Sequence, residues 1–321
     1  MAFRTFAAVM TKNQALIKWG LFVLLSFIWG SSFLLMLIGL EQLNAWQVAA
    51  LRLFSAGIIM SPFVWYTIKR IPKEKVVYTI LSGFLGSFFP AFLFCLAETR
   101  LDSSFAGTLN SLTPIFVILV GMFFFNLNVK WQQVIGILIS FTGSICLFMA
   151  KSGKTGDLLY VGFIVLGTFF YGLNVNMIGK KLRDIPSFDI GVLAFSFLAI
   201  PSLIILLALG TQNLNFSNQQ ILWSVGASAV LGIMGTTVAS VLFYVLLKKA
   251  GGIFASTVTY GIPFVAIFWG GVYHEKITVP VILSLLMILL GIFIANPNEK
   301  LLRWLMGLFK KEKRQENIKR P

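Results

Sequence analysis

The chain alternates long apolar blocks with short polar punctuation. Each block is hydrophobic on every side, with neither the polar stripe of a surface helix nor the strict alternation of a half-buried strand. A run of about 20 such residues lets a helix cross the hydrocarbon core of a bilayer. Ten runs qualify, at roughly 17–40, 46–68, 76–98, 103–125, 131–150, 158–179, 189–209, 222–247, 253–273 and 278–295. The segments between them are short, so no soluble domain is inserted. The pattern predicts an all-α membrane protein with ten transmembrane helices.

Composition agrees. Hydrophobic residues make up 58% of the chain and charged residues 12%. The mean hydropathy of +0.88 lies outside the range of soluble domains. Cys95 and Cys146 both fall inside apolar runs, where a thiol behaves as a small hydrophobe, so no disulfide is expected. The first run follows a basic stretch, but it is too long for a signal-peptide core and shows no small-x-small cleavage pattern. It is expected to remain as the first transmembrane helix.

A formal charge of +15 raises the question of nucleic acid, and the order of the basic residues answers it. With a cytoplasmic N-terminus, 21 of the 26 lysines and arginines fall in inner segments: residues 4–18, the 69–75 and 180–183 loops, Lys130, Lys248, Lys249 and the tail. Outer segments hold four, Arg100, Lys151, Lys154 and Lys276, while Arg52 lies within a helix. That bias follows the positive-inside rule. The charge therefore reports membrane topology with both termini cytoplasmic, and no nucleic-acid partner is expected.

Shifting the chain against itself by 149 residues aligns Gly83 with Gly232, Gly86 with Gly235, Phe94 with Phe243, Pro114 with Pro263 and Gly121 with Gly270. The first helix of each half fits at an offset of 142, where IWGSSF overlies FYGLNV and pairs Trp29 with Tyr171 and Ser32 with Asn174. Five helices per half is an odd number, so the second copy crosses the membrane in the opposite sense. The expected fold is two inverted five-helix repeats, residues 16–150 and 157–296. Secondary transporters use that architecture to open a shared midplane site to either side. A duplicated bundle without transport is the alternative.

FIWGSSF in the first helix, ALRLFSAG in the second, SSFAGTLNSLTPIF in the fourth and GGIFASTVTYGIPFVAIFWGGVYHEKIT in the ninth occur in that order. Together they resemble the EamA-like transporters of the drug/metabolite transporter (DMT) superfamily, over nearly the whole chain. The resemblance implies a ten-helix carrier moving small polar metabolites, often amino acids, or drugs across a bacterial inner membrane. The family ends both proline-containing helices with a small residue and Glu; Glu275 matches in the second half, whereas the first half reads Phe125-Asn126. The expected function is secondary, non-ATP transport by alternating access, in the export direction. A membrane enzyme and a non-transporting receptor or channel are the rival readings.

Candidate pathway residues are the polar or irregular positions inside the apolar runs. Pro114 and Pro263 each remove a backbone donor and free a carbonyl one turn earlier, at Asn110 and Thr259. At membrane depth such a carbonyl must face protein or a water-filled cavity. The same faces carry small residues, among them Gly107, Gly121, Gly252 and Ser256, which equally fit a seam of close helix contact. Trp29 and Ser32, with their counterparts Tyr171 and Asn174, lie too deep to be interfacial anchors, which leaves cavity lining or core contact. Thr237, Ser240 and Tyr244 in the eighth helix add hydroxyls. Arg52 is an ionisable residue inside the membrane and hence a functional candidate. Either it pairs with Glu98, at the outer end of the third helix, as a gate, or its planar fork receives a substrate carboxylate.

None of the eleven acidic residues falls in the central third of a helix, which favours facilitated diffusion or exchange over carboxylate-gated antiport. The sole histidine, His274, sits beside Glu275 and Lys276, and no cluster has metal-ligand spacing. The glycine-rich segments lack the strand-to-helix setting of a phosphate loop. No enzyme activity, metal or cofactor is expected. Residues 297–321 combine leucines, Trp304, Met306 and Phe309 with a lysine and arginine run, the pattern of a basic amphipathic tail on the cytoplasmic leaflet. The partners implied are a small-molecule substrate and membrane lipid, with a homodimer left open.

Overall fold

In the computed structural model the described residues are 2–101, 103–151, 157–265, 268 and 278–295, and among them there are helices and no strands. α1 (Ala2–Leu40), α2 (Ala45–Ile68), α3 (Lys73–Glu98), α4 (Phe105–Phe125) and α5 (Trp131–Lys151) come from the first half. α6 (Leu158–Lys181), α7 (Ser187–Ala208) and α8 (Gln219–Ala250) follow, and these eight are long and apolar enough to cross a membrane. Two shorter apolar helices, α9 (Gly252–Val265) and α10 (Val279–Ala295), complete the described fold. Of the ten expected spans, eight are full-length helices among the described residues, and the other two runs hold shorter apolar helices. His274, Glu275 and the 297–321 tail lie outside them.

Short polar residues terminate the helices by local hydrogen bonding. Asn44 opens α2 with a capping box: its side chain accepts from the Gln47 amide at 2.9 Å, and the Gln47 side chain accepts from the Asn44 amide at 3.1 Å. Asp157 and Asn218 do the same for α6 and α8 through single bonds to Leu159 and Gln220. Gly251, at φ +85°, makes the turn between α8 and α9 in a conformation that favours glycine.

The halves are interlocked. α1 packs on α8 and α9, while α6 packs on α3 and α4, so the first helix of each half docks against the other half. α2 pairs with α7, and α5 with α10. Lipid tails are as apolar as leucine, so helix association here rests on close backbones and cross-helix hydrogen bonds. The α5–α10 contact has both: a Cβ on Gly291 would collide with Gly136 and Ser140, and Ser140 Oγ donates to the Ile288 carbonyl at 3.0 Å. Other buried hydroxyls also donate within their own helix, as Ser26 does to Phe22 and Ser202 to Leu198, both at 2.7 Å. The exposed flanks of α7 and α10 are leucine and isoleucine, as lipid contact requires.

Four helices carry irregularities in matching, repeat-related pairs. α3 carries a π-helical turn at Phe84–Phe88, and α8 carries one at Leu231–Val238, which contains the same segment shifted by 149 residues. α4 is interrupted after Ser103–Asn110 and resumes at Thr113–Phe125, whereas α9 tightens into a 3₁₀ turn over Thr257–Gly261. Pro114 and Pro263 follow these interruptions directly, as loss of the proline amide donor predicts. Such departures inside a membrane helix gather where backbone faces a cavity.

Candidate functional site

The irregular stretches converge on one cavity of about 90 Å³. Its wall is built in repeat-related pairs. The first helix of each half gives Trp29 with Tyr171, Ser32 with Asn174, and Phe33 with Val175; the third gives Gly86 with Gly235, Ser87 with Thr236, and Phe94 with Phe243. The interrupted helices give Asn110 with Thr259 and Thr113 with Ile262. Contacts between these groups repeat as well. Trp29 lies against Phe243 with ring centroids 5.2 Å apart, and Tyr171 against Phe94 at 6.0 Å. A Cβ on Gly86 would collide with Asn174, and one on Gly235 would come within 2.6 Å of Ser32 Oγ. The absent side chains let α3 and α8 approach the two first helices that carry the aromatic walls.

Five lining residues, Met36, Arg52, Ser240, Tyr244 and Ser256, have no lining partner in the other half. Arg52 is the one charged member of the wall among the described residues. Its Nε donates to Thr236 Oγ1 at 2.6 Å, which turns the guanidinium across the interface between halves. No other hydrogen bond from its fork is formed among the described residues. Asn174 is buried, and its Oδ1 has no hydrogen-bond partner among the described residues. The wall thus offers a cationic fork, an unmet acceptor, several hydroxyls and aromatic faces and, among the described residues, no carboxylate.

Seven expected pathway residues come together here: Trp29, Ser32, Arg52, Asn110, Tyr171, Asn174 and Thr259. Pro114 and Pro263 do not line the cavity; they bound the breaks that let Asn110 and Thr259 do so. The expected Arg52–Glu98 gating pair is not closed in this structure. No ion pair joins them, because Arg52 is held by Thr236 while Glu98, 7% exposed, accepts from Ser103 Oγ at 3.0 Å. Thr237, expected to add a hydroxyl, instead donates to the Ala56 carbonyl at 3.2 Å, and its neighbour Thr236 faces the cavity. Phe94 and Phe243 had a signal in the repeat alignment; Thr236 and Met36 had none. Among the described residues no three of His, Cys, Asp or Glu gather as metal ligands.

A wider space of about 580 Å³ opens where α4 and α6 end and α8 gives way to α9. Val175 lines both this vestibule and the central cavity.

A family model described as the EamA-like transporter family matches residues 17–149 and again 158–296. An uncharacterized transporter of Archaeoglobus fulgidus is 24% identical over 279 residues, covering 86% of this chain and 98% of the relative. A Rickettsia felis protein named S-adenosylmethionine uptake transporter is 26% identical over 208 residues, 64% of this chain and 66% of the relative. A "probable amino-acid metabolite efflux pump" of Salmonella typhimurium is 24% identical over 167 residues, 50% of this chain and 53% of the relative. A crystal structure with 15% sequence identity superposes with a TM-score of 0.64 over 88% of this chain and 96% of its own, a likeness of fold alone.

Proposed function

The chain belongs to the EamA-like transporter family, and on that premise we propose that it is a secondary carrier exporting a small zwitterionic metabolite of the amino-acid class by alternating access. The carrying observation is the charge and hydrogen-bond inventory of the central cavity. Arg52 presents donors that no carboxylate pairs with among the described residues, which suits a substrate carboxylate, and the unmet Asn174 Oδ1 suits an ammonium or hydroxyl donor. Trp29, Phe94, Tyr171 and Phe243 supply the apolar faces against which the rest of a metabolite would rest.

In this reading the chain spans a bacterial inner membrane ten times, as inverted repeats at 16–150 and 157–296, with both termini cytoplasmic. Paired wall positions support it, since a pathway shared by two related halves draws the same helices from each. The wide vestibule lies at the end rich in lysine and arginine, which supports loading from the cytoplasm. One chain encloses the cavity, so a homodimer is not required.

Proteoliposomes loaded with individual amino acids test the proposal. Saturable efflux accelerated by the same amino acid on the far side is expected, with no need for ATP. Flux that stays linear in concentration, or lacks trans-acceleration for every amino acid tried, would overturn it.

A further inference from the structure

The vestibule wall holds Lys130, Lys180, Arg183, Lys248 and Lys249 and, among the described residues, no aspartate or glutamate. Topology accounts for how many cations gather at this end, but not for how they are distributed. Away from the vestibule, four of them are engaged. Lys75 lies 2.5 Å from Asp184, whose carboxyl this hydrogen bond holds below its usual range, and Arg70 lies 3.6 Å from Asp189. Lys69 sits 4.5 Å from the Trp65 ring centroid, and Lys181 sits 5.5 Å from that of Tyr78. Around the vestibule none of the five has an ion pair or ring contact among the described residues. Lys180 donates to the Phe125 carbonyl at 2.9 Å and Lys248 to that of Ile185. The nearby carboxylates are already engaged on the α3–α7 side.

Uncompensated like charges around a concave wall focus the field and raise the local concentration of counter-ions. Ammonium groups and a guanidinium fork suit phosphate and carboxylate oxygens. The next residue inward is Val175, whose neighbours in sequence, Asn174 and Asn176, line the central cavity and the vestibule respectively. Among the described residues neither wall contains an acidic one. We propose that the vestibule is a seat for small organic anions bearing a carboxylate or phosphate, one valine away from the cavity that holds Arg52. The seat stands on the arrangement of these cations; its role as the mouth of the pathway rests on the carrier reading above.

The test is thermal unfolding of the detergent-purified full chain, titrated with citrate or glycerol 1-phosphate against chloride at matched ionic strength. A ligand that binds only the folded chain raises the melting temperature saturably. The variant Lys130→Gln/Lys180→Gln/Lys249→Gln should shift half-saturation at least tenfold. The control Lys69→Gln/Lys73→Gln/Lys181→Gln removes as much charge from the same end and should leave it unchanged. A non-saturating response, or equal weakening in both variants, would reduce the effect to net charge and overturn the seat. Amine acylation of the unaltered chain gives a readout independent of variant folding: citrate should protect Lys130 and Lys249 while Lys69 and Lys73 stay reactive, and uniform reactivity would overturn the seat. Dihexanoyl phosphatidylglycerol separates the sources, since half-saturation tenfold below that of glycerol 1-phosphate assigns the seat to a lipid headgroup, and a value equal or higher assigns it to a free anion. A flat titration with transport intact would sink the seat alone, whereas a saturable shift without transport would sink the carrier reading alone.

Discussion

The two halves build the same walls but not the same chemistry. Gly232 of α8 approaches the Arg52 carbonyl of α2, and its repeat partner Gly83 of α3 approaches the Ala194 carbonyl of α7. Arg52 and Ala194 are therefore equivalent positions, 142 residues apart, and one half carries a guanidinium where the other carries a methyl group. Tyr244 and Ser240 likewise have Cys95 and Ala91 at the matching places, 149 residues earlier. Repetition supplies the cavity and its irregular helices, while the charged group of the wall and two of its hydroxyls stand at positions where the copies have diverged. A symmetric space would present both ends of a substrate with the same groups; an asymmetric one can tell a carboxylate from an ammonium.

The largest expected effect comes from forcing symmetry on the second half. Ala194 is fully buried, so Ala194→Arg would insert an unpaired charge and cost roughly 3–5 kcal/mol, and the folded yield in detergent should collapse. A well-folded, fully active variant would mean that α7 has room for a cation and that the asymmetry is incidental. Removing the existing charge should spare folding and strike transport. Charge-assisted hydrogen bonds are worth about 1.5–3 kcal/mol, so Arg52→Ala is expected to weaken half-saturation for a zwitterionic substrate by about 100-fold. Because Arg52 and Glu98 make no ion pair, Arg52→Ala and Glu98→Ala should act additively on flux; coupling of 1 kcal/mol or more in the double-mutant cycle would restore the gating pair in another state of the carrier.

Smaller effects probe the shared scaffold. A Cβ on Gly232 would collide with backbone, which cannot move aside, whereas on Gly83 its contacts begin at 3.1 Å. Gly232→Ala is expected to cost about 1–3 kcal/mol and Gly83→Ala less, read as melting temperatures; equal losses would mean the halves are packed alike there. Pro114→Ala and Pro263→Ala should each reduce flux a few-fold with folded yield retained, because a restored helical bond would stiffen the break. Unchanged flux in both would confine the prolines to helix packing. The smallest effect belongs to the exposed Lys75–Asp184 pair between α3 and the α6–α7 loop. The folded carboxyl titrates below its unfolded value, so any stabilisation is present above the unfolded pKa and fades as pH falls through the folded one. Asp184→Asn should leave the melting temperature near neutral pH nearly unchanged and flatten its acid dependence; a large loss at neutral pH would mean that this loop helps to hold the halves together.

Much of this was legible in the sequence because the solvent is lipid. A helix in hydrocarbon must satisfy its own backbone, so hydropathy alone marks the spans, and the repeat offsets single out glycines, prolines and aromatics that meet in the structure. Trp29, Tyr171, Asn110 and Thr259 were recognisable from depth and repetition before any coordinates. Arg52 was recognisable as a candidate for the cavity wall, but its neighbour was not. Counting residues along a helix gives depth; the rotation of that helix, and which side chain stands opposite, follow from how backbones approach across the glycines. Glu98 matched Arg52 in depth and is nonetheless held by Ser103, while Thr236, an unremarkable hydroxyl in the π-helical turn of α8, takes the guanidinium. The π-helical turn shifts the register of α8 at this point, and i to i+4 spacing in the sequence carries no sign of it. Sequence determined the spans, the repeats and the candidates for recognition; tertiary structure decided which candidates face one another, because that depends on contacts between helices hundreds of residues apart.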